Sequence, residues 1–173
     1  MSRREDQKLR TREQLLDAAA ALFAERGYHA VSVDAVAAAA GYTKGAVYAR
    51  FADKQDLFLA LLDRWLAEQA EGLTTAGGGG ADGFAAALDR DRIWNLLLLE
   101  FVLHALRTGA GRDALAARFA AWRSRLADHL PGDADGPWSV LALGIGLTVQ
   151  AYLQPGALPP GLYDRAVSRA VGA

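Results

Sequence analysis

The sequence predicts an all-α fold with about nine helices. In most segments between Gly- and Pro-rich breaks, apolar residues recur at the three- and four-residue spacing of a helix, and strand-like alternation is absent. The chain has 173 residues, of which 52% are hydrophobic and 23% charged, which is typical of a globular protein with a sizeable core. A chain of this length holds one or two domains.

Composition also excludes several classes of protein. The chain has no Cys, so disulfides, thiolate metal sites and Cys catalysis are impossible. The longest apolar runs, 93–99 and 140–149, are shorter than the roughly 18 residues of a membrane span. The charged start, MSRREDQKLR, lacks the apolar region of a signal peptide. We therefore expect a cytoplasmic protein that does not enter a membrane.

Residues 31–54 predict two short helices joined by a tight turn. Ser32 is a favourable N-cap for the first helix, and Gly41 ends it where a left-handed residue is needed. Thr43 caps the second helix, in which Val47 and Phe51 lie four residues apart on one face. Two helices around a Gly turn are typical of a helix-turn-helix, whose second helix enters the DNA major groove.

The residues around this second helix favour DNA binding over a plain packing motif, which is the alternative. Side chains of these types bind phosphates and base edges and are not core formers. They are Thr43, Lys44, Tyr48, Arg50 and Lys54.

Net charge agrees with this interpretation once its distribution is considered. The whole chain has a formal charge of −1, but residues 1–54 contain nine Lys and Arg against seven Asp and Glu. A basic arm, residues 1–10, precedes the first helix. It is either a solvated, disordered tail or a mobile arm that reaches phosphate, and both can hold together.

Residues 41–57, GYTKGAVYARFADKQDL, resemble the signature of the tetracycline-repressor (TetR) family of bacterial transcription regulators. In that family a Gly-hydrophobic-Ser/Thr-Lys-Gly-x-hydrophobic-Tyr segment is followed by Phe, then by Lys and an acidic-Leu pair. Tyr42 replaces the usual small aliphatic residue. The resemblance extends back through residues 11–36 and is looser in the C-terminal half. It implies a helix-turn-helix DNA-binding domain over 1–54 and a helical effector-binding and dimerisation domain over 55–173.

The resemblance also implies which residues contact DNA. Residues 43–46 are expected at base edges and adjacent phosphates, and the others at the DNA backbone. The expected set is Thr11, Arg12, Ser32, Thr43, Lys44, Gly45, Ala46, Tyr48, Arg50 and Lys54.

The remaining pattern predicts the other helices. The first begins at the N-cap Thr11 and ends before Gly27, and the fourth begins at the cap Asp53. The segments 74–83 and 131–137 are predicted loops, because four consecutive Gly, or Pro with Gly and Asp, do not hold a helix. Further helices are predicted at 84–88, 92–107 (apolar on every side, hence a buried central helix), 113–130, 138–153 and 158–171.

No motif for catalysis is present. Glu100 and His104 lie four residues apart and form either a weak metal or acid–base pair, or a side-chain pair satisfied at the edge of a core, which we favour. No nucleophile signature or phosphate-binding Gly loop is found. We expect no enzyme activity, cofactor or metal.

Aromatic residues spread over several helices have two interpretations, an ordinary core or the wall of an apolar ligand pocket. The family resemblance implies the second, with an unidentified small hydrophobic effector. The predicted ligand-binding residues are Leu62, Trp65, Trp94, Leu98, Phe101, His104, Phe119 and Trp122.

The segment 138–152 is too apolar for a helix with one exposed face. It is buried either within its own chain or against a second copy, and family members dimerise through their last two helices. We favour the interface, with Trp138, Leu141, Ile145, Thr148, Val149 and Tyr152 as its residues.

The sequence thus predicts a homodimeric, ligand-responsive repressor that binds a pseudo-palindromic operator in double-stranded DNA and is released by an effector. One alternative is an activator of the same architecture. The other is a helical ligand-sequestering or interaction protein without operator binding.

Overall fold

A computed structural model describes residues 3–75, 83–128, 130 and 134–172. These residues form nine α-helices and no strand, which confirms the predicted fold class. The helices are α1 (Arg3–Ala30), α2 (Val33–Ala39), α3 (Lys44–Tyr48), α4 (Lys54–Thr75), α5 (Gly83–Arg90), α6 (Arg92–Thr108), α7 (Arg112–Ala127), α8 (Gly136–Leu153) and α9 (Leu162–Ala170).

The chain divides into two compact units. The first contains Met1–Trp65 and Leu96–Leu115, and the second contains Leu66–Asn95 and Ala116–Ala173. The boundary expected from sequence, between residues 54 and 55, lies within the first unit. The division of labour between a DNA-binding and an effector domain stays a prediction.

The core of the first unit is aromatic at its centre. Phe58 stacks on Phe101 with ring centroids 4.6 Å apart and meets the edge of Phe23 at 5.5 Å. The first three helices and the residues just after them share a small buried core that contains Leu15, Leu22, Phe23, Val36, Val47 and Phe51. In the second unit, a cluster of Leu126, Val140 and Val171 is packed by Trp122, Leu130 and Val167.

The first helix starts earlier than predicted. It begins at Arg3, and Thr11, the expected N-cap, lies inside it and is buried. The predicted mobile arm therefore forms, in its described residues 3–10, the first turns of α1. Residues 3–14 are mostly good helix formers, and Glu5 and Asp6 stabilise the positive end of the helix dipole, so the helix does not stop at Thr11. It breaks at Gly27 (φ 77°, ψ 170°), as expected.

Helix α6 is less buried than its apolar sequence suggests. Leu97, Phe101 and Ala105, spaced four apart, face the core, whereas Leu103 and Leu106 are 48% and 69% exposed. The prediction of a helix buried on every side is wrong for these residues, because only one stripe of α6 contacts the rest of its unit.

Helix α8 is long and apolar enough to cross a membrane by length and composition, with 18 residues and a mean hydropathy of 1.2. The helix is longer than the apolar run 140–149 because it also includes residues on both sides of that run. One such helix is weak evidence for a membrane protein, since helices of soluble proteins pass the same test. Only 17% of α8 is buried in the chain.

The predicted loops fall largely outside the described residues. Helix α4 continues to Thr75, and the Gly-rich residues 76–82 are not among those described. The same holds for residues 131–133 of the second loop, whose last two residues, Gly136 and Pro137, begin α8. The final helix begins at Leu162, after the two prolines at 159 and 160.

Candidate DNA-binding interface

The caps that define the helix-turn-helix are those the sequence predicts. Ser32 Oγ accepts a hydrogen bond from Ala35 N at 3.1 Å, and Thr43 Oγ1 accepts one from Ala46 N at 3.3 Å. Gly41 adopts φ 72° directly after α2, a conformation that favours Gly. Both helices are therefore fixed at their starts by local hydrogen bonds.

Tyr42 ties the turn to α1. Its hydroxyl donates to Gln14 Oε1 at 2.6 Å and receives a longer hydrogen bond, 3.5 Å, from the Thr11 hydroxyl. The larger residue at this position thus gains polar partners on α1 that an aliphatic residue would lack. Gln14 carries no signal in the sequence that would identify it as this partner.

Helix α3 has one buried and one open face. Val47, and Phe51 just beyond the helix, are buried in the core of the first unit. Thr43, Lys44 and Gly45 are exposed, and Tyr48 is 48% exposed. Because α3 is anchored from behind, its polar face is held open to solvent.

Lys44 lies at the centre of this face. Its Nζ is 2.9 Å from Asp34 Oδ2 of α2 and 5.9 Å from the centroid of the Tyr48 ring. The hydrogen bond and charge of Asp34 raise the pKa of Lys44, which keeps the ammonium charged. An ion pair this exposed contributes little to stability, so a phosphate can replace Asp34. Asp34 was not among the predicted site residues.

Lys54, expected at the DNA backbone, points into the protein. Its Nζ donates to the carbonyl oxygens of Tyr28 at 3.0 Å and His29 at 3.3 Å, and lies 4.5 Å from the Tyr28 ring centroid. Burial lowers the pKa of Lys54, an effect that the charge of Glu100 opposes. In this structure Lys54 holds the junction between α1 and α2 and is not free for phosphate.

Other predicted contacts are also engaged within the chain. Thr11 is buried, so its side chain is closed to phosphate. Arg50 Nη1 donates to Ala46 O at 2.9 Å, and its Nε is buried without a hydrogen-bond partner among the described residues. The Arg12 guanidinium lies 5.4 Å from the Phe51 ring centroid and remains partly exposed. Ser32 is exposed, and Ala46 is partly buried.

Glu100 holds the same α1–α2 junction from α6. Its Oε2 accepts from Tyr28 N at 2.9 Å and its Oε1 from His29 N at 3.3 Å. These N–H groups follow the break at Gly27, where a Cβ atom would lie 3.0 Å from Glu100 Oε2. The expected Glu100–His104 pair is thus replaced by bonds to backbone, while the His104 ring packs 5.1 Å from that of His29.

Comparisons with known proteins agree with this geometry. The family model described as "Bacterial regulatory proteins, tetR family" matches residues 15–61, the segment that holds α2 and α3. This match identifies residues 15–61 as a tetR-family segment. This family consists of DNA-binding regulators and not of enzymes.

Individual relatives are similar to this chain mainly in the same segment. It is 42% identical over 65 residues to the transcriptional activator FasR of Mycolicibacterium smegmatis, a match covering 38% of this chain and 30% of FasR. It is 36% identical over 72 residues to the repressor AcnR of Corynebacterium efficiens, a match covering 42% of this chain and 38% of AcnR. The matched part of the chain therefore corresponds to about a third of the length of these curated relatives.

A solved structure extends the likeness over nearly the whole chain. The multidrug binding protein EbrR, complexed with imidazole, is 25% identical and superposes with a TM-score of 0.69, covering 99% of this chain and 94% of EbrR. The likeness of the fold thus includes the C-terminal helices.

The residues predicted to bind a ligand are divided between the two units, and their role stays a prediction. In the first unit, Phe101 is fully buried against Phe58 and Tyr28, and Leu62 is buried as well. The burial of Phe101 and Leu62 agrees with the interpretation of these residues as ordinary core. Trp65 also belongs to this unit, and its Nε1 is buried without a hydrogen-bond partner among the described residues. Leu98 and His104 lie in the first unit, and Trp94, Phe119 and Trp122 lie in the second.

The predicted dimer residues of α8 separate into two faces. Trp138 is 58% and Ile145 37% exposed, as an interface requires. Thr148 is buried within the chain, and the Tyr152 hydroxyl donates to Leu88 O and accepts from Asn95 Nδ2, both at 2.9 Å. Thr148 and Tyr152 therefore belong to the inner face of α8, contrary to expectation. Leu141 and Val149 are partly buried.

Proposed function

We propose that the protein is a ligand-responsive transcriptional repressor that binds a pseudo-palindromic operator as a homodimer in the cytoplasm. The observation that carries the proposal is the polar, open face of α3 on a helix anchored by Val47 and Phe51. A short anchored helix with a lysine at its start is suited to the major groove, where Lys binds guanine O6 and N7. The name of AcnR, a repressor, supports the direction of regulation.

Each polar residue on α3 has a different part in this proposal. Lys44 exchanges Asp34 for a base edge or a phosphate, and Tyr48 donates its hydroxyl to the DNA backbone. An added Cβ at Gly45 would meet only Thr43 Oγ1, at 3.8 Å, so no neighbouring element covers the backbone here. DNA can therefore approach α3 closely at Gly45.

Dimerisation is supported by the outer face of α8. Its apolar side chains Trp138, Ile145 and Leu153 are exposed in the single chain, at a cost that burial against a second copy would remove. At Gly144 and Gly146 an added Cβ would meet no atom within 4 Å. The small residues leave room for a partner helix to pack closely.

Effector release is proposed to act through the α1–α2 junction. Within the first unit, Glu100 of α6 and Lys54 of α4 hold the N–H and carbonyl groups of the same two residues, Tyr28 and His29. A ligand that favours another position of α6 or α4 would change these bonds and so the setting of α2 and α3. EbrR, a multidrug binding protein, supports a small hydrophobic effector.

The test is operator affinity in a Lys44→Ala variant, measured by fluorescence anisotropy on DNA flanking the protein's own gene. We expect affinity to fall roughly 5- to 150-fold, the loss of one base-edge contact, with an unchanged circular dichroism spectrum. Arg90→Ala, which removes one charge from the exposed end of α5, is the control and should leave affinity nearly intact. A folded Lys44→Ala protein with the parent's affinity would contradict the assignment of α3.

An activator is the second candidate, because FasR carries that name. In vitro transcription from the bound promoter separates the two, since a repressor lowers transcript yield and an activator raises it. A sequestering protein without operator binding would show no shift of this DNA at all.

A further inference from the structure

A cavity of about 310 Å³ lies in the second unit, and none of the residues assigned above to DNA or effector binding lines it. It is bounded by α5, the first residue of α6, the C-terminal half of α8, and the segment 155–161 with the start of α9. Its wall is largely apolar and includes Leu88, Leu147 and Leu158. Small-molecule sites are apolar cavities of about 300 Å³ or more with few polar groups.

The wall formed by residues 155–161 is held in place. It contains three prolines, at 155, 159 and 160, whose φ angles are fixed by their rings. Leu162 N donates to Pro159 O at 3.1 Å, and Arg165 Nη1 donates to Pro160 O at 2.8 Å. A wall fixed in this way is present before a ligand arrives, which lowers the entropic cost of binding.

Two aromatic pairs fix other parts of the lining. The rings of Phe84 and Tyr163 stack with centroids 4.3 Å apart and planes 8° from parallel. The Tyr152 hydroxyl is bound to Leu88 O and Asn95, so this ring cannot turn freely. Burial and the charge of Asp164 raise the pKa of Tyr163, so its phenol stays protonated at neutral pH.

Arg92 gives the cavity a positive charge. Its guanidinium lies 4.8 Å from the Tyr152 ring centroid, and it forms no ion pair among the described residues. Its neighbour Arg90, which does not line the cavity, is instead paired with Asp91 at 2.8 Å. An arginine held against an aromatic ring keeps its N–H donors available for a carboxylate. Asp89, exposed on the same wall, disfavours a second negative charge.

We propose that this cavity binds small monocarboxylic acids, with the carboxylate on Arg92 and an aromatic or aliphatic body against the leucine-lined wall. The inference goes beyond operator binding, because the site lies within one unit and its occupancy requires no DNA.

The first test compares an acid with its uncharged amide. The full-length protein is titrated by calorimetry with 4-phenylbutyrate and with 4-phenylbutyramide, which has nearly the same shape. We expect the acid to bind at least about tenfold more tightly, and Arg92→Ala to remove this preference. The control Arg90→Ala removes an arginine two residues away that does not line the cavity, and this variant should keep the preference. The proposal would be overturned if the acid and the amide bound equally well or if neither showed saturable binding. It would also be overturned if the preference for the acid survived Arg92→Ala.

The second test locates the ligand in the cavity. Ala85 lines the cavity on α5 and is exposed, so Ala85→Phe fills the opening without disturbing a core. Ala86 is exposed on the same helix but does not line the cavity, and Ala86→Phe is the matched control. We expect the first variant to weaken 4-phenylbutyrate binding at least about tenfold and the second to bind like the parent. Equal binding by both variants would overturn the proposal. Operator affinity is measured separately, so a failure of DNA binding leaves this result unaffected.

Discussion

The Glu100 carboxylate joins parts of the first unit that lie 72 residues apart in sequence. Backbone N–H groups after a helix break have no helical partner, and a carboxylate that accepts two of them makes charge-assisted hydrogen bonds. Gly27 is required beside it for two reasons, its positive φ and the 3.0 Å that would separate an added Cβ from Glu100 Oε2. Gly27, Tyr28, His29 and Glu100 therefore depend on one another in the structure.

Replacing Glu100 with Ala should destabilise the fold. The Tyr28 and His29 N–H groups would lose their acceptor, and a bond to a charged group is worth about 1.5–3 kcal/mol, reduced here because the Glu100 side chain is 32% exposed. We expect a loss of roughly 1–3 kcal/mol in the free energy of unfolding, measured in urea. Glu25→Ala, on the exposed surface of α1, is the control, and an equal effect of both changes would contradict the role of Glu100.

Tyr28 makes stability depend on alkaline pH. Burial, with the charges of Asp53 and Glu100, raises the pKa of Tyr28 from 10.0 to about 12. The unfolded chain loses this proton first, so the contribution is complete below pH 10 and is lost as pH rises towards 12. Tyr28→Phe keeps the ring packing and removes the titration. Across urea titrations from neutral pH to pH 11, we expect the parent to lose more stability than the variant, and parallel curves would contradict the shift.

Residue roles were predictable where they depend on local geometry. Ser32, Gly41 and Thr43 act within about four residues of themselves, so the order of residues determines them. The contacts of Lys54 and Thr11 within the chain were not predictable, for the opposite reason. Their partners lie 26 and 31 residues away, on parts of the fold that spacing does not bring together.

The presence of the helices was predictable from sequence, but their ends and their degree of burial were less so. Periodicity located α6 and α8, but it does not say how much of an apolar helix its own chain covers. Leu106 on α6 and Leu153 on α8 stay exposed because each helix contacts its unit along one side only. The exposed face of α8 matters more for function than that of α6, since it supports the proposed dimer.

Gly146→Leu tests whether that face packs against another helix. Within the chain an added Cβ meets nothing within 4 Å, and Gly in a helix interior costs roughly 0.5–1 kcal/mol relative to Ala. We therefore expect a monomer at least as stable as the parent but a weaker dimer, because the larger side chain blocks close approach. Sedimentation velocity over a range of concentrations measures this, with Ala120→Leu on the exposed face of α7 as control. Unchanged association would show that the partner does not contact Gly146.

For the whole molecule, the resemblance of residues 41–57 predicted the family, while the division into units needed the structure. Residues 55–65 and 96–115 pack with the N-terminal helices, because α4 and α6 each supply part of the Phe58–Phe101 core. Apolar helices of similar composition give no sign of which unit they will join. The cavity near Arg92 was missed for the same reason, since its lining comes from α5, the start of α6, α8, the segment 155–161 and the start of α9.

The proposed dimer and the proposed operator make one joint prediction. Two linked recognition helices bind a full palindrome more tightly than a half-site by a factor on the order of 10²–10⁴, because the second contact is intramolecular. Ile145→Glu would place a charge in the dimer interface, where burial without a partner is costly, and should yield a monomer. Anisotropy titrations on a full palindrome and on a half-site of equal length should then give the same affinity for the variant and different affinities for the parent. Ser124→Glu on α7, exposed and outside α8, should behave like the parent. A monomeric variant that still prefers the full palindrome would show that the two half-sites are not linked through α8.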